Sequence, residues 1–207
     1  MPDAASLQGH LFERQVLNYL DGINASHDFT ICGLTNYNQM TWTYCGPIRS
    51  FIFRERATFH EEITNAIQSR ESLHLRPAAR NFPTVDSILY NPNDSDGVIT
   101  CIQTTVSSEH PIAVSRLQHI QSWLELKTPL AHLRPSNTMP WRFIFIVPQD
   151  IAPDFKLQTL QGDTATGAWA GKVQQHVLEL DVLSRSRPLS WLLRFGSEPV
   201  WPFRSRT

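Results

Sequence analysis

The chain has 207 residues, 41% of them hydrophobic and 18% charged, with a formal net charge of -1. That balance is too apolar for wholesale disorder, offers no apolar run long enough to cross a bilayer, and leaves enough chain to bury a real core in a soluble domain. Cys32, Cys45 and Cys101 are odd in number and lack C-x-x-C spacing, which excludes an encoded disulfide framework or zinc knuckle and suits a reducing compartment.

The opening "MPDAASLQGHLFERQ" has no basic segment followed by an apolar one, so no secretory signal is expected. Over "SLQGHLFERQVLNYL", Leu7, Leu11, Phe12, Val16, Tyr19 and Leu20 recur at helical spacing until the "DGIN" stop. Projected on that helix, Glu13 falls between Leu17 and Leu20, inside the apolar sector, where a carboxylate either snorkels to water or serves a site. Residues 28–56 are rich in Asn, Thr, Gly and aromatics without sustained period, which fits short strands or an irregular insertion equally.

"ATFHEEITNAIQSRE" reads as a short helix with Phe59, Ile63 and Ile67 on one side. Its "HEEIT" is not a zinc-protease motif, because Thr64 stands where the second histidine would be required. "SLHLRP" and "FPTVDSILY" flank "AARN" as a β-hairpin, and "NPNDSDG" is a turn before the strand "VITCIQTTVS". "HPIAVSRLQHIQSWLELK" predicts a helix with Pro111 at its first position and Ala113, Leu117, Ile120 and Leu124 on its apolar side.

"WRFIFIVP" is a nearly continuous apolar run, suited to a central strand covered on both faces. "GKVQQHVLELDVL" fits a strand or a short helix. From Ser184 to Thr207 the chain holds Arg185, Arg187, Arg194, Arg204 and Arg206 against Glu198 alone, a basic segment that either touches an acidic partner or is a solvated tail. The order of elements implies a mixed sheet flanked by helices, an α/β sandwich.

Three polar residues stand where a buried sheet would favour aliphatics. Gln103 and Thr105 share a strand face, and Asp86 lies on the preceding strand across a turn, so a twisted hairpin can bring its carboxylate toward that pair. An Asp near a turn can instead bond backbone amides, and a buried Gln can be a satisfied core amide. With Glu13 contributed by the flanking helix, one or two carboxylates, an amide oxygen and a main-chain carbonyl would suit Mg²⁺, which takes oxygen ligands and keeps several waters.

The spacing from Asp86 to "IQTT" and the order of elements resemble the PD-(D/E)XK nuclease superfamily. "NFPTVDSILY" with "CIQTTVSSEHPI", a helix and "FIFIVP" is similar to the nuclease-like C-terminal domains of Crinkler-type effectors and retrotransposon hot spot proteins of fungi, oomycetes and trypanosomes. The resemblance runs from the Glu13 helix to about Pro148 and is strongest over residues 81–112.

It implies a restriction-endonuclease-like α-β-β-β-α-β core over residues 1–148, with 149–207 as a C-terminal extension packed on the same domain. By that likeness Asp86 corresponds to the metal-binding Asp, Gln103 to the second acid, Thr105 to the lysine and Glu13 to the acidic residue of the first helix. His110 belongs to the closer family's string, and it either shuttles protons or caps the following helix. The implied cofactor is Mg²⁺ or Mn²⁺, the implied partner is DNA or a host protein, and the implied location is intracellular, in the nucleus.

Two departures matter. Gln for Glu removes a charge but keeps an oxygen ligand, whereas Thr for Lys removes an electrostatic donor whose loss typically costs roughly 10²- to 10³-fold in rate. Opposite the apolar side of the third helix, Arg116, His119, Trp123 and Lys127 recur on one face, where cations could meet phosphates and the indole could stack on a base or pack under the aromatic C-terminus. Arg49, Arg54, Arg56, Arg76 and Arg80 are further phosphate candidates. The resemblance implies a metal-dependent DNA endonuclease or a catalytically inactive nuclease-fold module that binds nucleic acid or a host protein; an unrelated α/β domain with an accidental likeness is the third alternative.

Overall fold

The computed structural model describes residues 4–45, 48–78, 85–94, 99–124, 129–162 and 166–181. Along them run α1 (Ala4–Asp21), β1 (His27–Gly33), β2 (Gln39–Tyr44), β3 (Arg49–Phe53), α2 (Arg56–Ser69), β4 (Leu73–Pro77), β5 (Ser87–Tyr90) and β6 (Ile99–Thr104). The remainder is β7 (Ile112–Ala113), α3 (Val114–Trp123), β8 (Trp141–Val147), β9 (Leu160–Gln161) and β10 (Val173–Glu179). Lys127, Arg80 and the basic segment from Ser184 lie outside the described residues.

Eight strands form one sheet in the order β2-β1-β10-β8-β6-β5-β4-β3. The β10–β8, β8–β6 and β4–β3 pairs are parallel and the others antiparallel, so the sheet is mixed. It is strongly curled into a half-barrel. The curl brings Tyr44 of β2 to His74 of β4, ring centroids 6.2 Å apart, although their strands stand near opposite ends of the order.

Strand alternation divides the interior into two cores. Cys101, Phe143, Phe145 and Val177 face Phe59 and Ile63 of α2 and Leu117 and Ile120 of α3. Ile102, Ile144, Ile146 and Leu178 face Phe12, Val16 and Leu20 of α1. β8 is buried at every position, as its unbroken apolar run requires of a strand covered on both sides.

The structure settles both open segments. The described part of residues 28–56 is built on the strands β1, β2 and β3: Phe29 and Ile31 of β1 and Trp42 and Tyr44 of β2 turn inward, and Phe29 stacks on Trp42 at 5.6 Å. "VQQHVLE" is also a strand, inserted between β1 and β8.

The third helix departs from expectation at its start, beginning at Val114 rather than Pro111. Ile112 donates its N–H to Thr159 O (3.0 Å), and β7 pairs with β9 in a parallel two-stranded ribbon. Backbone hydrogen bonds supplied by the 159–161 segment thus hold extended the residues that a proline at the first turn would have allowed to be helical.

Candidate functional site

The β5–β6 register sets Ser87 against Ile102, which puts Asp86, one residue before β5, against Gln103. Its own N–H donates to Ile102 O (2.8 Å), anchoring the backbone at the strand end. The side chain is free of the pleat there, and its Oδ2 collects three donors: the Thr104 N–H at 2.6 Å, the Thr104 hydroxyl, and the Gln103 amide at 3.1 Å. Oδ1 makes no hydrogen bond among the described residues.

Burial pushes the Asp86 carboxyl up to about 6; the bonds from Thr104 oppose the rise, and the Glu13 carboxylate adds to it. Glu13 is therefore within electrostatic reach of Asp86. It sits half-buried on α1, 3.7 Å from His10 Nδ1 one helical turn earlier. A carboxylate of the helix layer thus acts electrostatically on one at the end of β5, and Gln103 of β6 hydrogen-bonds the latter.

Thr105 is buried beside them but engaged elsewhere. Its hydroxyl accepts the Ser107 N–H (3.0 Å) and its own N–H donates to Ile146 O (3.0 Å), so its hydrogen bonds serve the loop and β8. Thr104, which sequence reasoning passed over, is the residue that grips Asp86. The signal was present in "QTT": at a strand end, the residue between the two expected ligands offers both a hydroxyl and a backbone N–H.

His110 does not cap α3, whose N-terminus has no side-chain cap. Its N–H donates to Gln158 Oε1 (2.6 Å), and its ring stands edge-on to Phe145, 6.3 Å between centroids, where Phe145 is the cross-strand partner of Gln103. Burial and then the Arg116 cation lower its pKa below the usual histidine value, so the ring is neutral at pH 7. A neutral imidazole can accept a proton, which is the form a shuttle needs.

On α3, Arg116 and His119 are exposed. Trp123 is not: it is 9% exposed, with its ring 5.7 Å from Phe53 and 5.2 Å from Phe59. The indole packs against β3 and α2, so this side chain is a core residue rather than a platform for a base. Arg49 pairs with Glu62 (2.5 Å) and Arg76 with Asp21 (2.5 Å), which leaves these two guanidiniums less free for phosphate.

A hard divalent cation fits the donor set in part. Asp86 Oδ1 and the Glu13 carboxylate are suitable oxygens, while Gln103, as placed, presents its amide nitrogen to Asp86 and would have to turn its amide to offer Oε1. Among the described residues no group of three or more His, Cys, Asp or Glu could hold a metal.

A second polar cluster lies at the other end of α1. Asp21 accepts from the Ser50 hydroxyl (2.6 Å), from Arg76 (2.5 Å) and from His74 Nδ1 (3.3 Å), and Tyr44 reaches the same Nδ1 at 3.4 Å. Burial would raise the Asp21 pKa, but the bonds from His74 and Ser50 and the electrostatic attraction of His74 and Arg76 outweigh it and hold the carboxyl at about 2. Ser50 also meets Nδ1, at 3.4 Å. A Ser-His-Asp nucleophile needs serine and carboxylate on opposite ring nitrogens. With both on Nδ1 and His74 fully buried, the cluster is a structural tie.

No family model matches the chain, and no curated protein or solved structure matches it at a significant level.

Proposed function

We propose that this chain is a metal-dependent phosphodiesterase acting on DNA, with a divergent PD-(D/E)XK site of the Crinkler and hot-spot type. The observation that carries the reading is the buried Asp86 carboxylate at the end of β5, gripped through Oδ2 by Gln103 and Thr104, with its pKa pushed up to about 6 chiefly by burial and the Glu13 carboxylate within electrostatic reach. The run α1, β4, β5, β6, α3, β8 supports it: β4, β5 and β6 form an antiparallel meander, and β8 returns parallel to β6 after α3. With β1, β2, β3 and α2 set aside as an insertion after α1, and the short β7 before α3, this subset is compatible with the α-β-β-β-α-β order expected of a restriction-endonuclease-like core.

In this reading Asp86 Oδ1, Glu13 and Gln103 hold Mg²⁺ or Mn²⁺, which when bound would acidify a water and polarise a phosphoryl oxygen. Thr104 fixes Asp86 through Oδ2, so Oδ1 would be the oxygen offered to an ion. His110, neutral on the Gln103 side of the sheet, takes up a proton from the attacking water. Arg116 and His119 on α3 contact the phosphate backbone without reading bases. The setting is intracellular, and nuclear where the target is chromosomal DNA.

One observation favours a second reading, a nuclease fold kept for binding nucleic acid or a host protein. The Thr105 hydroxyl, at the position of the family's lysine, is occupied by the Ser107 N–H and offers no charge to a developing phosphorane. A plasmid-nicking assay with Mg²⁺ or Mn²⁺ separates the two. Metal-dependent cleavage that Asp86→Ala abolishes is the expected result, and equal behaviour of the two proteins, with DNA binding retained, assigns the binder.

A further inference from the structure

β1 and β10 are sheet neighbours only at Cys32 and Gly33, which pair with Val177 and His176. Beyond that junction opens a cleft of about 580 Å³, a size that suits a ligand. Its lining comes from both faces of the sheet: Phe29, Ile31 and Leu178 belong to the core under α1, whereas Val177 and Phe155 belong to the core under α2 and α3. The cleft therefore passes between the strands instead of lying on one face.

The bonds that remain fix which backbone groups point into it. Gly33 N–H donates to Asn38 O on the β2 side, and Leu34 N–H donates across to Gln175 O of β10. Successive residues of a strand turn their N–H and C=O to opposite edges, so Asp28 and Thr30 direct theirs at the cleft. On β10, Leu180 N–H goes to Val147 O of β8, which turns the Glu179 groups toward the cleft from the other wall. Among the described residues neither Thr30 nor Glu179 has a ladder partner there. Facing edges left unpaired are the template for an added strand.

Polarity and charge set what that strand must carry. The α1 face of the cleft is apolar, while strand alternation puts Asp28, Thr30 and Glu179, all exposed, on the opposite face. The lining contains neither lysine nor arginine. Asp28 accepts the Thr43 hydroxyl (2.6 Å), yet among the described residues neither it nor Glu179 has a cationic partner. A strand lying in the sheet alternates its side chains between the two faces. Its complement here is a segment with an apolar residue at every second position and lysine or arginine between.

We propose that the cleft is a docking site for an extended segment of a partner protein that alternates apolar and cationic residues and adds to the Thr30 and Glu179 edges as a short strand. Glu13, Asp86 and Gln103 do not line it, so the site does not depend on the function assigned to them.

Two-dimensional amide NMR of the full chain tests this, with a capped heptapeptide alternating valine and lysine as the probe. The expected result is saturable shifts of the Thr30 and Glu179 amides with the Cys101 amide of β6 unmoved, and a Kd at least about tenfold weaker in Asp28→Asn/Glu179→Gln. Should Cys101 itself move in that variant, the comparison passes to the wild type with a valine–glutamate heptapeptide, whose failure to bind supports the proposal and whose equal binding overturns it. Methylating alternate backbone nitrogens of the valine–lysine peptide should weaken it by about the same factor, because the ladder cannot then form. Unshifted Thr30 and Glu179 amides overturn the proposal. So does equally tight binding of hexylammonium ion, which offers the charge and an apolar chain without a peptide backbone, and so do shifts that grow with protein concentration alone, since the occupant is then a second copy of the chain.

Discussion

Asp86 has a folded-state carboxyl raised to about 6 from an ordinary 3.8, so the native state holds its proton more tightly than the unfolded chain does. The stability this contributes is fully present below pH 3.8 and is lost as pH rises through 6, by up to roughly 3 kcal/mol for a shift of this size. Asp86→Asn removes the titration, and urea unfolding between pH 4 and pH 8 should therefore show the wild type losing stability relative to the variant. A constant difference across that range contradicts the assignment. Much of this residue pattern was legible in the sequence: a carboxylate in the apolar sector of a helix and an Asp opposite a Gln have few uses in a core. What could not be read was that the strand end frees Asp86 from the pleat. It then takes Thr104, on the α1 face with Ile102 and Ile146, while Thr105 serves its own loop.

Among the elements, α1 carries two carboxylates in different settings. Glu13, midway along it, is within electrostatic reach of Asp86, whereas Asp21 ties the helix end to Ser50 of β3 and to His74 and Arg76 of β4. Because the Asp21 pKa is depressed to about 2, its contribution is present above pH 3.8 and disappears as pH falls through 2. Asp21→Asn leaves buried His74 poorly paired, and at pH 7 chemical denaturation should register a loss of about 1–3 kcal/mol that shrinks at pH 2. No loss at pH 7 would remove the tie from the account. Helix α1 and strand β8 were readable because long periodic or unbroken apolar patterns leave little choice. The start of α3 was not, since the bonds that hold Ile112 extended come from residues nearly fifty positions later. Trp123 misled for a related reason: its helical position faces the polar side in projection, and only the packing of Phe53 and Phe59 draws it inward.

At the scale of the molecule, the curl of the sheet is what joins these parts. It lets β2 reach β4 and places α1 so that its N-terminal half overhangs the end of β6, where Gly9 lies 3.7 Å from Val106 measured from an added Cβ. Curl arises from strand pairings between segments far apart in the chain, including β10 inserted between β1 and β8, and no local pattern announces it. The electrostatic reach of Glu13 to Asp86 depends on that geometry, and the proposed chemistry depends on both carboxylates serving one ion. Titration calorimetry with Mn²⁺ near pH 6 tests it most directly, because an ion drawn to this pair must displace the Asp86 proton. The account predicts saturable binding at millimolar metal, with a heat that varies with the ionisation enthalpy of the buffer and vanishes in Asp86→Ala. Absence of binding in the wild type, or binding that Asp86→Ala leaves intact, would contradict it.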